Sequence, residues 1–280
     1  MKKITRRSFL AAAGLTAAAL ALTACGGSSS STASSVASSA AASSEVASSS
    51  AAAAELTTVE AGKLTMATNA AFPPYEMTTD AGDFEGIDIE TAQAIADKLG
   101  LELQIDDMDF DAALLSVQQG KADIVMAGVT VTDERKAVMD FSDSYATGIQ
   151  SIIVPEGSDI ASPDDLAGKK IGTQRGTTGY IYCSDDFGDE NVVAYDDGLT
   201  AVQALNNGQV DAVVIDNAPA KEFIAANPGL VILETSYAEE DYAIGLAKGS
   251  SLKDAINGAL EELKADGTLQ SIVDKYISAE

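Results

Sequence analysis

The sequence contains no histidine, no tryptophan and only two cysteines, Cys25 and Cys183. The absence of histidine excludes catalytic dyads and triads that use imidazole as the base, and it excludes imidazole metal sites. Two cysteines are too few for a zinc cage or for a disulfide framework. We therefore predict no metal site and no cofactor, and we interpret Cys183 as a structural or inert thiol.

Basic residues are also scarce. The 280 residues include 17 Lys and Arg against 43 Asp and Glu, which gives a formal net charge of −26. Binding to nucleic acid or docking on an anionic membrane needs a basic surface, so this composition argues against both. The hydrophobic share of 46% is enough for the core of one or two domains.

The N-terminal region lacks an apolar run long enough to span a membrane. The run Phe9–Leu22 holds about 14 residues, fewer than the ~20 that a spanning helix needs. It follows a basic start and precedes Leu22–Cys25 (LTAC), a pattern typical of a lipoprotein export signal. We predict that residues 1–24 are a signal peptide and that a lipidated Cys25 anchors the protein outside the cytoplasmic membrane. The motif Thr5–Leu10 (TRRSFL) leaves twin-arginine export open beside the general route.

Residues 25–60 differ in texture from the rest of the chain. They are mostly Ser, Ala and Gly, and such a segment cannot bury enough apolar surface to offset the entropy of ordering it. We predict a flexible tether between the anchor and the folded part.

From about residue 61, segments rich in Val, Ile and Met alternate with segments of helical period, which predicts an α/β fold. A helix–strand unit around Gly120 and Asp123 is echoed around Gly208 and Asp211, at a constant offset of 88 residues. Chance similarity of two generic units is one explanation, and two duplicated lobes are the better one. In both units a glycine ends the helix and an aspartate begins the strand.

The repeat leads to a prediction of domain organisation. We assign residues 61–147 and 242–280 to lobe 1 and residues 148–241 to lobe 2. The chain then crosses between the lobes near residues 145–151 and again near residues 239–243. The C-terminal helices would complete the first lobe.

Several local features are predicted from residue types. Asp88 is expected to cap a helix that ends at Gly100, and Asp111 is expected to start the next helix. Four acidic pairs are expected to be solvated faces rather than metal sites: Asp106-Asp107, Asp185-Asp186, Asp196-Asp197 and Glu239-Glu240.

Two residues of opposite charge follow the predicted strands, Arg135 in the first lobe and Asp216 in the second. In open α/β sheets, ligands bind beyond the carboxyl ends of the strands. A small zwitterion fits this pair, with its carboxylate on the guanidinium and its ammonium on the aspartate. The helix opened by Gly176–Gly179 offers backbone amides as further donors to the carboxylate.

Motifs along the whole of residues 61–280 resemble the polar amino-acid substrate-binding proteins of ABC importers, also called solute-binding protein family 3. The resemblance implies a type II periplasmic-binding-protein fold, in which two lobes, each a mixed sheet flanked by helices, are joined by two hinge crossings. The motifs that carry it, in the family's order and spacing, are Asn69–Glu76, Gly86–Glu90, Ala127–Arg135, Phe141–Asp143, Gly176–Thr178, Asp216 and Lys264–Thr268.

The resemblance also implies roles for residues that match the family's pattern. Arg135 corresponds to the carboxylate-binding arginine and Asp216 to the ammonium-binding acid. Thr178 corresponds to the second-lobe amide that meets the carboxylate. The candidate ligand-binding residues are Asn69, Phe72, Phe110, Ala127, Gly128, Thr130, Arg135, Thr178 and Asp216.

The ligand side chain is expected to meet Phe72, Phe110 and Asn69. The two aromatic residues fall where the family places residues that flank this side chain. Several members that bind basic amino acids have aspartate where this sequence has Asn69. We therefore expect a neutral, polar amino acid.

Each assignment has a simpler structural alternative. Arg135 could be a solvated arginine on its helix, and Asp216 could cap the helix that follows it, alone or in addition to binding. Phe72 could be ordinary core, Phe110 could pack as a hydrophobic staple, and Thr130 could be a plain strand-end residue.

These observations predict a lipid-anchored, extracytoplasmic receptor that captures a free amino acid and delivers it to an ABC permease in the membrane. We expect a monomer that catalyses nothing. One alternative is an enzyme on the same fold, similar to cyclohexadienyl or arogenate dehydratases, for which Glu76 and Asp88 are the available acids. A second alternative is a ligand-sensing lipoprotein that signals through a separate membrane protein.

Overall fold

The computed structural model describes residues 56–277. The predicted signal peptide, the predicted lipidation site Cys25 and most of the predicted tether lie outside this range. Among the described residues, no helix is long and apolar enough to cross a membrane.

Four strands begin the described chain, and helices and strands then alternate, as the α/β prediction requires. Its elements are β1 (Lys63–Thr68), β2 (Ala71–Phe72), β3 (Glu76–Thr78), β4 (Phe84–Glu85), α1 (Ile87–Leu99), β5 (Glu102–Asp107), α2 (Phe110–Gln118), β6 (Ile124–Val125), α3 (Asp133–Val138) and β7 (Met139–Pro155).

The second part repeats the alternation and then closes on two helices. Its elements are β8 (Ile171–Gln174), α4 (Thr178–Phe187), β9 (Val192–Tyr195), α5 (Gly198–Asn206), β10 (Ala212–Asp216), α6 (Asn217–Ala226), β11 (Leu230–Ile232), β12 (Ala238–Ala247), α7 (Lys253–Ala265) and α8 (Thr268–Tyr276).

The main strands are hydrogen-bonded in the order β5-β1-β6-β12-β7-β10-β8-β9. In the first lobe, β5 and β6 lie parallel to β1. In the second lobe, β8 lies parallel to both β9 and β10. The long strands β7 and β12 pair antiparallel between the lobes, from Ala238 opposite Gln150 to Ala247 opposite Met139. Because both strands take part in the two lobes, the chain crosses twice between them, and the predicted two-lobed α/β architecture is confirmed.

Each lobe has its own apolar core. In the first lobe, Leu64 and Met66 of β1 pack in one buried cluster with Ile256 and Leu260 of α7. The C-terminal helices therefore bury their apolar face against strands from the start of the domain. In the second lobe, Val213 of β10 packs in a cluster with residues of α5 and α6. Burying a side chain of this size contributes roughly 1.5–3 kcal/mol.

The sequence repeat has the same structure in both copies. Gly120 and Gly208 adopt left-handed φ angles of +65° and +66°, which end α2 and α5. The carboxylate of Asp123 accepts a hydrogen bond from the Thr65 amide at 2.8 Å, and that of Asp211 accepts one from the Lys170 amide at 2.7 Å. In both lobes the aspartate of the repeat therefore ties its strand to the strand beside it.

Two predicted helix starts were wrong. The N-cap of α1 is Gly86, and Asp88 lies inside the first turn with its side chain fully buried. Because its carboxylate accepts hydrogen bonds from Gly128 and Tyr145, it cannot cap its own helix. The helix α2 begins at Phe110 rather than at Asp111.

Cys183 lies on α4 and is fully buried. It packs in an apolar cluster of the second lobe, and burial raises the pKa of its thiol to about 12. The thiol is therefore protonated and shielded from reaction at neutral pH.

Candidate functional site

A cavity lies between the two lobes, next to β7 and β12. Its empty volume is about 460 Å³, part of which is open to solvent. All nine candidate ligand-binding residues line it. Seven further lining residues were absent from the predicted set: Glu76, Gln150, Gln174, Thr177, Val214, Ile215 and Tyr242.

Arg135 is buried and held by the backbone of both lobes. Its Nη1 donates to the Thr130 carbonyl at 2.8 Å, and its Nη2 donates to the Gly176 carbonyl at 3.2 Å. The guanidinium carbon lies 5.4 Å from the centre of the Phe110 ring. Because these carbonyls take two of the five N–H donors, the guanidinium keeps donors for a carboxylate. The structure therefore rejects the alternative of a solvated arginine.

The position of Arg135 follows from local structure. The helix α3 begins after Thr132, whose hydroxyl accepts a hydrogen bond from the Arg135 amide at 3.2 Å. This cap fixes the first turn, from which the side chain reaches the cavity. The first turn of α4, with Thr178, lies across the cavity from Arg135. The backbone amides of this turn add the partial positive charge of a helix N-terminus to the charge of Arg135.

Asp216 lies at the end of β10, where α6 begins, and it is buried. The Tyr242 hydroxyl donates to its Oδ2, and the Gln150 amide lies 3.5 Å from the same oxygen. Burial raises the pKa of this carboxyl group to about 7, partly offset by the bond from Tyr242, and the neighbouring charge of Glu240 raises it further. A bound ammonium group would stabilise the ionised form. Asp216 is also the N-cap residue by position, but its side chain makes no capping hydrogen bond.

Glu240 is a second buried acid beside the cavity, and the prediction that it belongs to a solvated face was wrong. Its Oε2 accepts hydrogen bonds from the hydroxyls of Thr130 at 3.0 Å and Thr178 at 2.9 Å. The Gln150 amide donates to the same oxygen at 3.1 Å. A neighbouring residue on the same strand, Glu239, is exposed.

The bonds to Glu240 determine how the two threonines can meet a ligand. A hydroxyl has one proton to donate, and Thr130 and Thr178 both give theirs to the carboxylate. Their oxygens can then only accept a hydrogen bond from a ligand. Asp216 and the two threonine oxygens therefore form an acceptor side of the cavity and Arg135 a donor side, and the charge of Glu240 acts on both Arg135 and Asp216.

Neutral amide groups lie at another part of the cavity wall. The Gln174 amide donates to Asn69 Oδ1 at 2.9 Å, and Asn69 Nδ2 donates to the Met108 carbonyl at 3.0 Å. Phe72 and Phe110 line the same cavity. The Asn69–Gln174 bond joins the two lobes, as does the bond from Arg135 to Gly176, so the lobes are in contact across the cavity.

Two of the missed lining residues, Gln150 and Tyr242, lie on the crossing strands, as does Glu240. Glu240 and Tyr242 are two residues apart on β12, so their side chains point to the same face. That alternation, in which Glu239 and Asp241 are exposed while Glu240 and Tyr242 are buried, was the available signal. Gln174 was visible as a strand-end residue but carried no charge to mark it.

Within residues 56–277, no group of three or more Asp, Glu or Cys side chains is placed to hold a metal ion. Glu76 and Asp88, the acids that the enzyme alternative requires, are both fully buried. The carboxylate of Asp88 is engaged by the Gly128 amide at 3.0 Å and by the Tyr145 hydroxyl at 2.8 Å. Asp88 is therefore engaged by structural hydrogen bonds, whereas Glu76 also lines the cavity.

The chain is similar to proteins of known structure and function. It is 33% identical over 226 residues to the L-cystine-binding protein TcyJ of Escherichia coli, which covers 79% of this chain and 85% of the relative. An ancestral arginine-binding protein, solved bound to glutamine, superposes with a TM-score of 0.75 at 42% identity, covering 79% of this chain and all of that one. The arginine-, lysine-, histidine-binding protein ArtJ of Geobacillus stearothermophilus gives 0.75 at 34% identity, covering 78% and 96%.

These relatives are binding proteins rather than enzymes, and the two solved structures share the fold described above. The family model for bacterial extracellular solute-binding proteins, family 3, matches residues 64–279. This match covers most of the chain and nearly all of its described part, including every residue of the cavity. The chain belongs to the bacterial extracellular solute-binding proteins of family 3.

Proposed function

We propose that this protein captures a free amino acid between its two lobes and delivers it to an ABC importer in the membrane. The observation that carries the proposal is the convergence of Arg135 and Asp216, which come from different lobes and are both buried, on one cavity. A free amino acid has one group for each of them. Relatives named for binding cystine, arginine and glutamine support the same class of ligand.

In this proposal the ligand lies between the donor side and the acceptor side of the cavity. Its carboxylate meets Arg135 and the first amides of α4, and its ammonium group meets Asp216 and the oxygens of Thr130 and Thr178. Closure around the ligand shifts the equilibrium between open and closed lobes, because only the closed form makes both sets of contacts. One chain supplies both ends of the site, so a monomer is sufficient.

Native mass spectrometry of the purified full chain tests this function. An amino acid that co-purifies with the protein appears as a mass difference that disappears after denaturation and refolding. Calorimetry on the stripped protein, with the twenty amino acids as probes, then measures affinity. If no amino acid binds the stripped and refolded protein, the proposed function is wrong.

We further propose that the ligand has a neutral, polar side chain such as that of glutamine. Asn69 and Gln174 present amide groups to the cavity, and Phe72 and Phe110 present aromatic rings. These groups can hydrogen-bond and pack against a neutral side chain, whereas a cationic one needs a carboxylate to offset its loss of hydration.

Asn69→Asp tests this preference. The variant places a carboxylate where the wild type has an amide, so the affinity for L-arginine should rise at least about tenfold relative to that for L-glutamine, equivalent to ~1.4 kcal/mol. Calorimetry with both ligands provides the ratio. Asn206→Asp makes the same charge change at an exposed position on α5 and should leave the ratio unchanged. Tight binding of L-arginine by the wild type, with L-glutamine inert, would contradict the preference.

The lipid anchor is a separate part of the proposal. If residues 22–25 direct lipidation, Cys25→Ser should release the protein from the membrane fraction or leave the signal peptide uncleaved. Fractionation and the mass of the mature chain measure the two outcomes. Cys183→Ser is the matched control and should stay in the membrane fraction. Normal maturation and membrane association of Cys25→Ser would refute the anchor.

A further inference from the structure

Two buried carboxyl groups lie together at the wall of the cavity, which Glu76 lines. Glu76 on β3 and Asp88 in the first turn of α1 are both fully buried. The Asp88 amide donates to the Tyr75 carbonyl at 2.8 Å, which brings the turn against the residue that precedes Glu76. Gly86 permits this approach, since a Cβ there would lie 2.2 Å from the Tyr75 carbonyl oxygen and its φ is +132°.

Only one of the four carboxyl oxygens of this pair accepts a hydrogen bond from a surrounding residue that the structure describes. Asp88 Oδ2 accepts from the Gly128 amide at 3.0 Å and from the Tyr145 hydroxyl at 2.8 Å. Asp88 Oδ1 and both carboxyl oxygens of Glu76 are buried, and no donor from another described residue reaches them. Three buried acceptors without a donor are costly, and two adjacent buried carboxylates cannot both stay ionised.

A single proton on the pair removes both the repulsion between the two charges and the lack of a donor. With a proton on Glu76, its carboxyl group becomes a donor to Asp88 Oδ1, and the repulsion between the two acids disappears. Burial, followed by the charge of Asp88 and the hydrogen bond with it, raises the pKa of Glu76 well above its ordinary value. The pKa of Asp88 is raised by burial only to about 6, because the bonds from Gly128, Tyr145 and Glu76 favour its ionised form.

Other titratable side chains, one acidic and two phenolic, are packed around Glu76 and Asp88. Asp107 at the end of β5 adds a further negative charge that raises the pKa of Glu76. The phenols of Tyr75 and of Tyr145 on β7 also face the pair, and their own pKa values are raised by burial and by the nearby acids. Burial and the charges of Asp88 and Asp107 favour the protonated form of Glu76.

We propose that Glu76 is a protonated positioning residue, whose hydrogen bond holds Asp88 and, through Asp88, the Gly128 peptide in the wall of the ligand cavity. The Gly128 amide points at Asp88, so in a planar trans peptide the Ala127 carbonyl points the opposite way. Loss of the proton would drive the two carboxylates apart and release this peptide. The protonation state is independent of the ligand, whereas the effect on affinity rests on the proposed function.

A pH profile of stability distinguishes this role from a merely structural one. A carboxyl group whose folded-state pKa is raised stabilises the protein fully below its unfolded-state pKa and loses that contribution as the pH rises towards the folded-state pKa. Across this window the contribution of Glu76 to the folding equilibrium constant falls about tenfold per pH unit. The contribution therefore decreases from mildly acidic pH upwards.

Glu76→Gln tests the proposal, because glutamine keeps an N–H donor for Asp88 but cannot ionise. Urea unfolding of the purified full chain, from about pH 4 to 9, measures the folding equilibrium constants of the variant and the wild type. The ratio of the variant's constant to that of the wild type should rise about tenfold per pH unit across this window. Glu85→Gln, at an exposed position on β4, is the control and should follow the wild type. Parallel pH profiles for wild type and Glu76→Gln would overturn the proposal.

Infrared spectroscopy of the wild type supplies a second readout that does not depend on a variant folding. At neutral pH the difference spectrum between the wild type and Glu76→Gln should show the carbonyl stretch of a protonated carboxyl group, because the part contributed by Asp216, whose pKa is raised to about 7, cancels. The difference spectrum between the wild type and Glu85→Gln should lack this band. Its absence from the spectrum for Glu76→Gln refutes the proposal. Glu76→Leu, which removes the donor, should weaken binding of L-glutamine at least about fivefold more than Glu76→Gln does. Failure of L-glutamine to bind the wild type counts against the proposed ligand alone.

Discussion

Replacing Arg135 by alanine is expected to weaken amino-acid binding at least about 30-fold while leaving the fold intact. In the closed cavity the ligand carboxylate is cut off from water, so it depends on its guanidinium partner. Removing one member of a buried charged pair typically costs ~2–5 kcal/mol, much of it from the group left unpaired. At tenfold per 1.4 kcal/mol this is roughly 30- to several-thousand-fold in affinity. Calorimetry on ligand-stripped protein measures the loss.

Asp216→Ala should cause a loss of the same order at the other end of the ligand. The two variants should differ in the ligand analogue that they no longer discriminate against. Arg135→Ala loses the preference for an amino acid with a free carboxylate over its amide. Asp216→Ala instead loses the preference for a free ammonium group over its acetylated form.

Arg175→Ala and Asp196→Ala are matched controls for the two variants. Both residues are exposed, and Arg175 Nη2 lies 3.7 Å from Asp196 Oδ1 in an ion pair at the surface. Such pairs contribute little, so both controls should bind as the wild type does. Near-native affinity in Arg135→Ala or Asp216→Ala would show that the zwitterion lies elsewhere.

The charged ends of this site could be predicted because they depend on short-range rules. Asp216 ends β10, Arg135 lies in the first turn of the helix that follows β6, and ligands in α/β folds gather at that edge. The repeat around Gly120 and Gly208 could be predicted for a similar reason, since a glycine that ends a helix leaves a local signature. In each case the sequence neighbours of the residue decide its place.

Glu240 and Asp88 could not be placed, because their environments are built by distant segments. Glu240 lies beside Glu239 in the sequence, and an acidic pair is usually solvated. Its burial depends on the strand register that sets it opposite Gly148 and on donors from residues about 60 to 110 positions away. Asp88 has the residue type of a helix cap, but the packing of α1 against Pro74 and Tyr75 places it inside the first turn with its side chain buried. Tertiary packing overrode the local preference in both cases.

The hydroxyl arrangement around Glu240 leads to the second large effect. Glu240→Gln removes a buried charge and offers one accepting oxygen beside an amide that donates. The hydroxyls of Thr130 and Thr178 then have a weaker acceptor and are no longer fixed as acceptors for the ligand. Hydrogen bonds to a charged group are worth ~1.5–3 kcal/mol, so amino-acid affinity should fall roughly 10- to 150-fold.

The loss in Glu240→Gln should fall on recognition of the ammonium group, because the threonine oxygens lie on the acceptor side of the cavity. Its affinity for the full amino acid should drop more than its affinity for the analogue that lacks the α-amino group, when both are measured by calorimetry. Glu239→Gln changes the same charge one residue away on the exposed face of β12, and it should bind as the wild type does. If the two variants bind the amino acid equally well, Glu240 is only a structural acid of the crossing strand. Selective loss in Glu240→Gln would instead show that the buried carboxylate acts through the two hydroxyls. By accepting both of their protons, it leaves their oxygens free only to accept a hydrogen bond from the ligand. It would thereby determine which end of a zwitterion binds at this side of the cavity.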